Sequence, residues 1–224
     1  MIMKKIIALC LILTLTLLSL MSFTACGNVY TDAEVTEILD QLLIREADLN
    51  GWIYFDSFKT LEEPSEEDLN SNYQHYYVVH PDSKYVTLAS LMGEVDAIFT
   101  TDGKQAIYDY AFLGFGDGAV DDGVSEDGET MSETSRFYED KEGLKINVSV
   151  EPYSGKTLYL LGSAKAKRSN ETHIRAEITT YRFDKNGNPI LHKKEVELLF
   201  ENGSWKLMNS TLIAGTTTEE LVKE

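Results

Sequence analysis

Residues 173–200 read HIRAEITTYRFDKNGNPILHKKEVELLF, two stretches of alternating apolar and polar residues around a polar, glycine-containing segment. This alternation is typical of an antiparallel hairpin with one buried face. A two-residue turn at Asn186-Gly187 would place Val196 opposite Glu177, so the loop must have an odd number of residues. We expect a three- or five-residue loop over Lys185–Pro189, with Gly187 at its centre. The predicted pairs are Ala176 with Leu198 and Ile178 with Val196.

Four other stretches are predicted to form strands. Leu144–Glu151 shows the strictest alternation, with apolar side chains at every second position. Residues 73–80 are rich in aromatic and β-branched side chains, and a further strand is predicted over 157–167. After a turn at Asn202-Gly203, residues 204–213 are predicted to close the sheet.

Helices precede most of these strands along the chain. Thr31 and Glu34 have the spacing of a capping box, and the apolar residues that follow predict a helix over 32–49, which Asn50-Gly51 would end. Further predicted segments are helices over 87–99 and 102–112 and exposed acidic loops over 56–71 and 114–133. Helices first and hairpins afterwards indicate an α+β fold, in which N-terminal helices pack on a curved antiparallel sheet.

The first 25 residues have the layout of an export signal. Lys4 and Lys5 precede an apolar run over 6–21, and small residues come directly before Cys26. This ending resembles a bacterial lipobox, in which the cysteine receives a diacylglycerol and the preceding peptide is removed. We therefore predict lipidation of Cys26 and an extracytoplasmic location, anchored to the cell membrane by the N-terminal lipid. An ordinary secretory signal cut near Ala25 and an uncleaved anchor are the alternatives.

The predicted domain organisation follows from these boundaries. About 200 residues remain after the signal, enough for one domain with a hydrophobic core. The segments are a lipoprotein signal peptide (1–25), a lipid-anchored tether (26–30), a single α+β domain (31–213) and a polar C-terminal tail (214–224).

The net charge limits the classes of partner. The chain carries −17, and removal of Lys4 and Lys5 with the signal leaves −19. Such a surface repels nucleic acid and anionic membrane, so membrane contact is predicted through the lipid only. It favours a basic partner or divalent cations, and a plain solubilising role is the alternative. Cys10 leaves with the signal and Cys26 carries the lipid, so the domain has no disulfide, thiol nucleophile or cysteine metal site.

Two parts of the sequence resemble known families. The terminal hairpin Leu199–Leu207 is similar to that of cystatin-like or nuclear-transport-factor-2-like proteins. Four blocks resemble the DL-endopeptidase inhibitor family of the IseA type: Tyr76–Val79, Tyr85–Leu91, Ile98–Thr100 and Arg136–Leu144. Members of that family are exported proteins that restrain cell-wall peptide hydrolases. The resemblance spans about residues 31–212 and implies a cystatin-like fold and an inhibitory role, although the acidic loop and the lipid anchor are not matched.

The residues predict no catalytic site and no cofactor. The sequence contains no nucleophile elbow, zinc-binding helix motif or phosphate-binding glycine loop. His173 and His192 fall on opposite faces of the hairpin, and His75 and His80 differ in strand parity, so we expect no metal site. An enzyme with an Asp/His/Tyr acid–base pair is the least favoured class.

Two binding sites are predicted instead. Carboxylates of the 114–133 loop are expected to enter the basic groove of a partner, with steering that weakens as salt rises. They are Asp117, Asp121, Asp122, Glu126, Asp127 and Glu129. Calcium binding is the alternative, but the spacing does not match a calcium loop. Tyr73, Tyr76 and Tyr77 are predicted to line a cavity, with ordinary core packing as the alternative.

These observations lead to two hypotheses about function. In the first, the protein is a binding module whose partner is an extracytoplasmic protein, a cell-wall peptidase that it inhibits or regulates by covering its surface. In the second, it binds a small ligand or peptide in a cavity between helices and sheet.

Overall fold

The computed structural model describes residues 28–55, 57–69, 75–113, 135–149 and 156–219, which form an α+β protein with a curled sheet of mixed strand direction. The helices are α1 (Asp32–Ile53), α2 (Glu66–Leu69), α3 (Leu88–Ile98) and α4 (Gln105–Tyr108), which continues as a π-helical segment, Asp109–Leu113. The strands are β1 (Tyr76–Val78), β2 (Phe137–Asp140), β3 (Gly143–Asn147), β4 (Thr157–Leu160), β5 (Lys165–Ser169), β6 (His173–Phe183), β7 (Pro189–Glu201), β8 (Ser204–Leu207) and β9 (Ile213–Thr217).

Helix α1 begins as the sequence predicts and ends later. The capping box is confirmed, since the Glu34 amide donates to Thr31 Oγ1 and the Thr31 amide donates to Glu34 Oε2. The predicted stop at Asn50-Gly51 is wrong, because the helix continues to Ile53 and buries both residues. Asn50 Nδ2 donates to the Ile213 carbonyl at 3.0 Å, so tertiary contacts override the local preference for a helix end.

One face of α1 carries a polar stripe that we define as Asp32, Thr36, Asp40, Glu46 and Asn50. These side chains hydrogen-bond to groups that the sheet does not pair itself. The Ala166 amide donates to Asp32 at 2.8 Å, and Thr36 Oγ1 donates to the Ala164 carbonyl at 2.9 Å. The polar stripe thus seats the helix on the sheet by satisfying buried or half-buried backbone groups.

Glu46 is fully buried and forms the centre of this contact. Its carboxylate accepts from the Thr211 amide at 2.5 Å, Thr211 Oγ1 at 2.6 Å and Ser210 Oγ at 2.9 Å. Burial raises the pKa of Glu46, and burial also lowers the pKa of Lys194, whose Nζ donates to the Thr211 carbonyl at 2.7 Å. The connection between β8 and β9 is therefore held against α1 by a buried, hydrogen-bonded carboxyl group.

The helices after α1 agree with the sequence in different degrees. The prediction over 87–99 is confirmed by α3, whose N-cap is Thr87 and whose Leu91 and Val95 are buried. The helix predicted over 102–112 is shorter, since only Gln105–Tyr108 is α-helical before the π-helical segment. Within the predicted acidic loop over 56–71, Ser65 caps α2 by accepting from the Asp68 amide at 3.1 Å.

The strands form two sheets, so the single antiparallel meander predicted from the sequence is wrong. A three-stranded sheet has the order β1-β3-β2, with Leu144 and Ile146 buried as their alternation predicts. A six-stranded sheet has the order β8-β7-β6-β4-β9, and β5 also pairs with β6. The predicted strand over 204–213 divides into β8 and β9, and β9 runs parallel to β4 at the other edge. Between β8 and β9 the chain passes from one edge of this sheet to the other, and on this path Glu46 holds Thr211 against α1.

The central hairpin has the predicted faces but a different register. Ala176 lies opposite Val196, whereas the sequence paired it with Leu198, which lies opposite Ile174. The loop has five residues, as predicted, but it spans 184–188, so Asn186 lies at its centre instead of Gly187, which adopts a φ of +82°. The register is shifted because Asp184 belongs to the loop and not to β6. Its carboxylate accepts hydrogen bonds from the amides of Asn186 and Asn188 within that loop.

The strand predicted over 157–167 is interrupted. β4 and β5 both pair with β6, but residues 161–164 leave the ladder. Gly162 has a φ of +77°, and its amide donates to the Asp40 carboxylate, which also accepts from Tyr159 Oη at 2.5 Å. The polar stripe of α1 therefore supplies a hydrogen-bond acceptor for a backbone amide in this break.

Both ends of the predicted domain also differ from expectation. Residues 28–30, predicted as a tether, are hydrogen-bonded to Ser169 of β5. The tail predicted to begin at 214 starts later, because β9 continues to Thr217. The predicted strand residue Val150 lies outside the described residues.

Replacement of Glu46 by Gln should change how stability depends on pH. Burial raises the pKa of Glu46 above the ordinary value of 4.5. Between pH 4.5 and this raised pKa, Glu46 keeps a proton in the folded chain that it releases in the unfolded chain. The free energy of unfolding of the natural protein should therefore fall relative to Glu46→Gln as pH rises through this window, by at most about 1.4 kcal/mol per pH unit. Urea titrations from pH 4 to 8 measure this difference, and parallel curves would contradict it.

Candidate functional site

An open cleft lies on the three-stranded sheet. Its volume is about 430 Å³, and the strands β1 and β3 form its floor. The lining residues are Leu61, Glu62, His75, Tyr76, Tyr77, Val78, Glu142 and Lys145. Two tyrosines, one cationic side chain and two carboxylates thus converge beside apolar side chains, a composition typical of a binding surface.

Asp68 organises one wall of the cleft. Its carboxylate accepts a 2.5 Å hydrogen bond from Tyr77 Oη and lies 3.1 Å from His75 Nδ1. The hydrogen bond from Tyr77, followed by that from Ser65, lowers the pKa of Asp68, and the same contact raises the pKa of Tyr77. The phenol proton is directed to Asp68, so Tyr77 orients a carboxylate and stays neutral at physiological pH.

The opposite wall is built on Lys145 of β3. Its Nζ donates to Asp140 at 2.8 Å and to Glu142 at 2.5 Å, and lies 5.6 Å from the ring centre of Tyr138. Hydrogen bonds to both carboxylates raise the pKa of Lys145, and the contact with Lys145 lowers that of Asp140. Lys145 and Asp140 are therefore both charged at neutral pH.

Tyr76 joins the cleft to the segment that precedes β2. Its hydroxyl donates to the Ser135 carbonyl at 2.5 Å, and its ring packs edge-on against Tyr138 with centroids 4.7 Å apart. Ser135 is the first described residue after the acidic segment, which we define as the predicted loop over 114–133. The hydrogen bond from Tyr76 thus holds Ser135 at the border of the cleft.

The structure brings together part of the predicted sites. Tyr76 and Tyr77 line the cleft, but on opposite faces of β1: Tyr77 shares its face with Ile146, and Tyr76 lies opposite Asn147. Tyr73, Cys26 and the six predicted partner-binding carboxylates lie outside the described residues, namely Asp117, Asp121, Asp122, Glu126, Asp127 and Glu129.

The other histidines are separate, as their strand parity predicts. His173 pairs with Leu199 and His192 with Thr180, which places them on opposite faces of the hairpin. His80 lines a second open cleft of about 340 Å³ beside Trp52 and Lys84. Within the described ranges, no group of three or more His, Cys, Asp or Glu residues is arranged to hold a metal ion.

Sequence reasoning missed the meeting of Asp68, His75 and Tyr77. A signal for it exists, because Ser65-Glu66-Glu67-Asp68 has the spacing of a helix cap and predicts a short helix that presents Asp68. The distance from that helix to β1 depends on the tertiary packing, including the bond from Ser149 Oγ to the Asp68 carbonyl at 3.0 Å.

Comparisons of the sequence with protein families and curated proteins identify no family for this chain. No protein-family model matches the chain, and a search of curated proteins finds no match. In the part of the chain that the structure describes, none of the helices combines the length and the apolar character needed to cross a bilayer.

Replacement of Asp68 by Ala should loosen the wall of the cleft. Tyr77 and His75 both lose their contact with α2, so amides of 65–69 and 75–78 should exchange hydrogen several-fold faster. Tyr77→Phe removes one of the two contacts and should give a smaller increase. Glu67→Ala on the same helix is the matched control, because its side chain is exposed. Equal exchange in all variants would show that Asp68 does not hold this wall.

Proposed function

We propose that this protein is an extracytoplasmic lipoprotein of cystatin-like fold that restrains a cell-wall peptide hydrolase by covering part of its surface. The observation that carries the proposal is the open cleft, at whose border Tyr76 holds Ser135, two residues after the acidic segment. The sequence supplies the other support, the lipobox-like ending at Cys26 and the resemblance to the DL-endopeptidase inhibitors.

The shape of the cleft favours a macromolecular partner. It is open to solvent, and it is lined by the acidic and basic side chains of Glu62, Glu142 and Lys145 instead of an enclosed apolar surface. A polypeptide segment can lie across such a surface and contact both walls, whereas small ligands are usually held in enclosed, mostly apolar pockets. Occlusion of a partner is therefore the better use of this geometry.

Electrostatic attraction would come mainly from the acidic segment. It contains seven acidic residues between Leu113 and Ser135, and six of them are the predicted partner-binding carboxylates. A basic groove on a hydrolase would be drawn toward this region, and the attraction would weaken as salt screens it.

The position of the cleft suits a membrane-anchored inhibitor. Helix α1 has 22 residues and is about 33 Å long at 1.5 Å per residue. Its N-terminus follows the anchor, while the three-stranded sheet lies at its C-terminal end, where Arg136 Nη2 donates to the Phe55 carbonyl at 3.3 Å. The helix would thus present the cleft away from the lipid, toward the wall.

A small-ligand or peptide-binding lipoprotein is the second candidate. The cleft volume of about 430 Å³ lies within the range of ligand sites, and its tyrosines could stack on a ligand. Native mass spectrometry of the purified protein tests this function directly, since a retained ligand adds a defined mass.

Neutralisation of the acidic segment should slow association with the hydrolase. The protein is first used to recover its partner from an extracytoplasmic extract at low salt, and hydrolysis of peptidoglycan by that partner is then measured. Asp121→Asn/Asp122→Asn/Glu126→Gln should lower the association rate by about tenfold at low salt and much less at high salt.

The matched control neutralises three exposed acids elsewhere, Glu37, Glu171 and Glu195, and leaves the same net charge. This control should associate nearly as fast as the natural protein. Equal slowing in both triple variants would attribute the attraction to net charge alone. Recovery of no peptidase, or unchanged hydrolysis in its presence, would refute the proposed inhibition.

A further inference from the structure

The residues that follow the predicted lipid anchor are fixed to the sheet. The Ser169 amide donates to Asn28 Oδ1 at 2.9 Å, and the Tyr30 amide donates to Ser169 Oγ at 2.9 Å. The Val29 amide donates to the Ser169 carbonyl at 3.3 Å. Only Gly27 separates Cys26 from this attached segment, so the Cα atoms of Cys26 and Asn28 lie within about 7 Å of each other.

Apolar and aromatic side chains cluster at the same end of the domain. Trp205 lies between Tyr30 and Phe200, with ring centroids 5.5 Å apart in both pairs. Phe200 is 46% exposed although it lies within β7, and Val29 is 56% exposed. We call this group, Val29, Tyr30, Phe200 and Trp205, the aromatic end.

We propose that the aromatic end lies on the bilayer surface and holds the domain in one orientation. This inference rests on the lipidation of Cys26 that is part of the proposed function. A diacylglycerol attached within about 7 Å of Asn28 brings the aromatic end to the depth of the lipid headgroups. Tryptophan and tyrosine favour this interface because their rings are apolar and their N–H or O–H groups stay hydrated.

The charges near the aromatic end are mixed. Lys165 and Arg168 on the neighbouring strand β5 are exposed, and so are three acids: Glu171 in the turn that follows, and Asp32 and Glu34 in the first turn of α1. Attraction to anionic headgroups and repulsion from them therefore offset one another in part. The contact should consequently depend on apolar burial and be little affected by salt.

The opposite end of the six-stranded sheet supplies an internal control. Phe183 and Leu191 are 54% and 56% exposed, as much as the apolar side chains of the aromatic end. They lie near the tip of the β6–β7 hairpin, level with positions eight and ten residues along β6 from His173, which places them about 30 Å from the aromatic end. A contact that required only exposed apolar surface would engage both ends equally.

The test uses the full-length protein, processed in a bacterial host and reconstituted into vesicles of phosphatidylcholine and phosphatidylglycerol that contain brominated phosphatidylcholine. Brominated acyl chains quench tryptophan fluorescence at short range, and Trp52 is 5% exposed and packed on Tyr85. The difference between the natural protein and Trp205→Phe isolates the Trp205 emission. We expect brominated lipid to reduce that emission by about twofold or more, because the indole is placed at the interface.

Two matched variants decide whether the aromatic end is responsible. Val29→Ser/Phe200→Ser should largely abolish the quenching of Trp205, whereas Phe183→Ser/Leu191→Ser should leave it unchanged. Quenching that is lost in both variants, or retained in both, overturns the inference.

Mass spectrometry of the same sample separates this inference from the proposed function. A diacylglycerol on Cys26 without quenching of Trp205 overturns the inference and leaves the lipoprotein assignment in place. A chain without lipid on Cys26 refutes the anchoring and with it the inference, while the hydrolysis assay still tests inhibition.

Discussion

The polar stripe of α1 is the constraint on which the rest of the domain depends. Strands β4 and β5 are separated by a break, and the chain between β8 and β9 leaves the sheet, so backbone groups at both places lack strand partners. Asp40 accepts from Gly162, and Glu46 accepts from Thr211. Because a buried backbone group without a partner is costly, the path from β8 to β9 is compatible with a stable fold only where Glu46 supplies that partner, whereas the bond from Gly162 to Asp40 is exposed to solvent.

The same helix determines where the ends of the molecule lie. Its N-terminus is joined to β5 through Asp32, and its C-terminus supports the three-stranded sheet through the carbonyl of Phe55. In the function proposed above, the lipid attachment and the cleft are separated by about the length of a 22-residue helix. This separation would let the binding surface reach a partner in the wall while the anchor stays in the membrane.

The cleft combines residues that are distant in the chain. Asp68 comes from α2, Tyr77 from β1 and Lys145 from β3, and each is oriented by a partner on another element or turn. Contacts of this kind preorganise the surface, so less conformational entropy is lost when a partner binds. The cleft is nevertheless open, and its charged groups are paired with one another before any partner arrives.

Sequence alone determined the features that depend on neighbouring residues: the capping box at Thr31, the alternation at Leu144 and Ile146, the odd hairpin loop with Gly187 at positive φ, and the α+β class. Only the tertiary structure decided the continuation of α1 through Asn50, the pairing of Ala176 with Val196, the division of the sheet and the parallel position of β9. The physical reason is that capping and periodicity act over a few residues. Strand partners and helix ends are chosen by backbone groups that become neighbours only when the sheet is assembled.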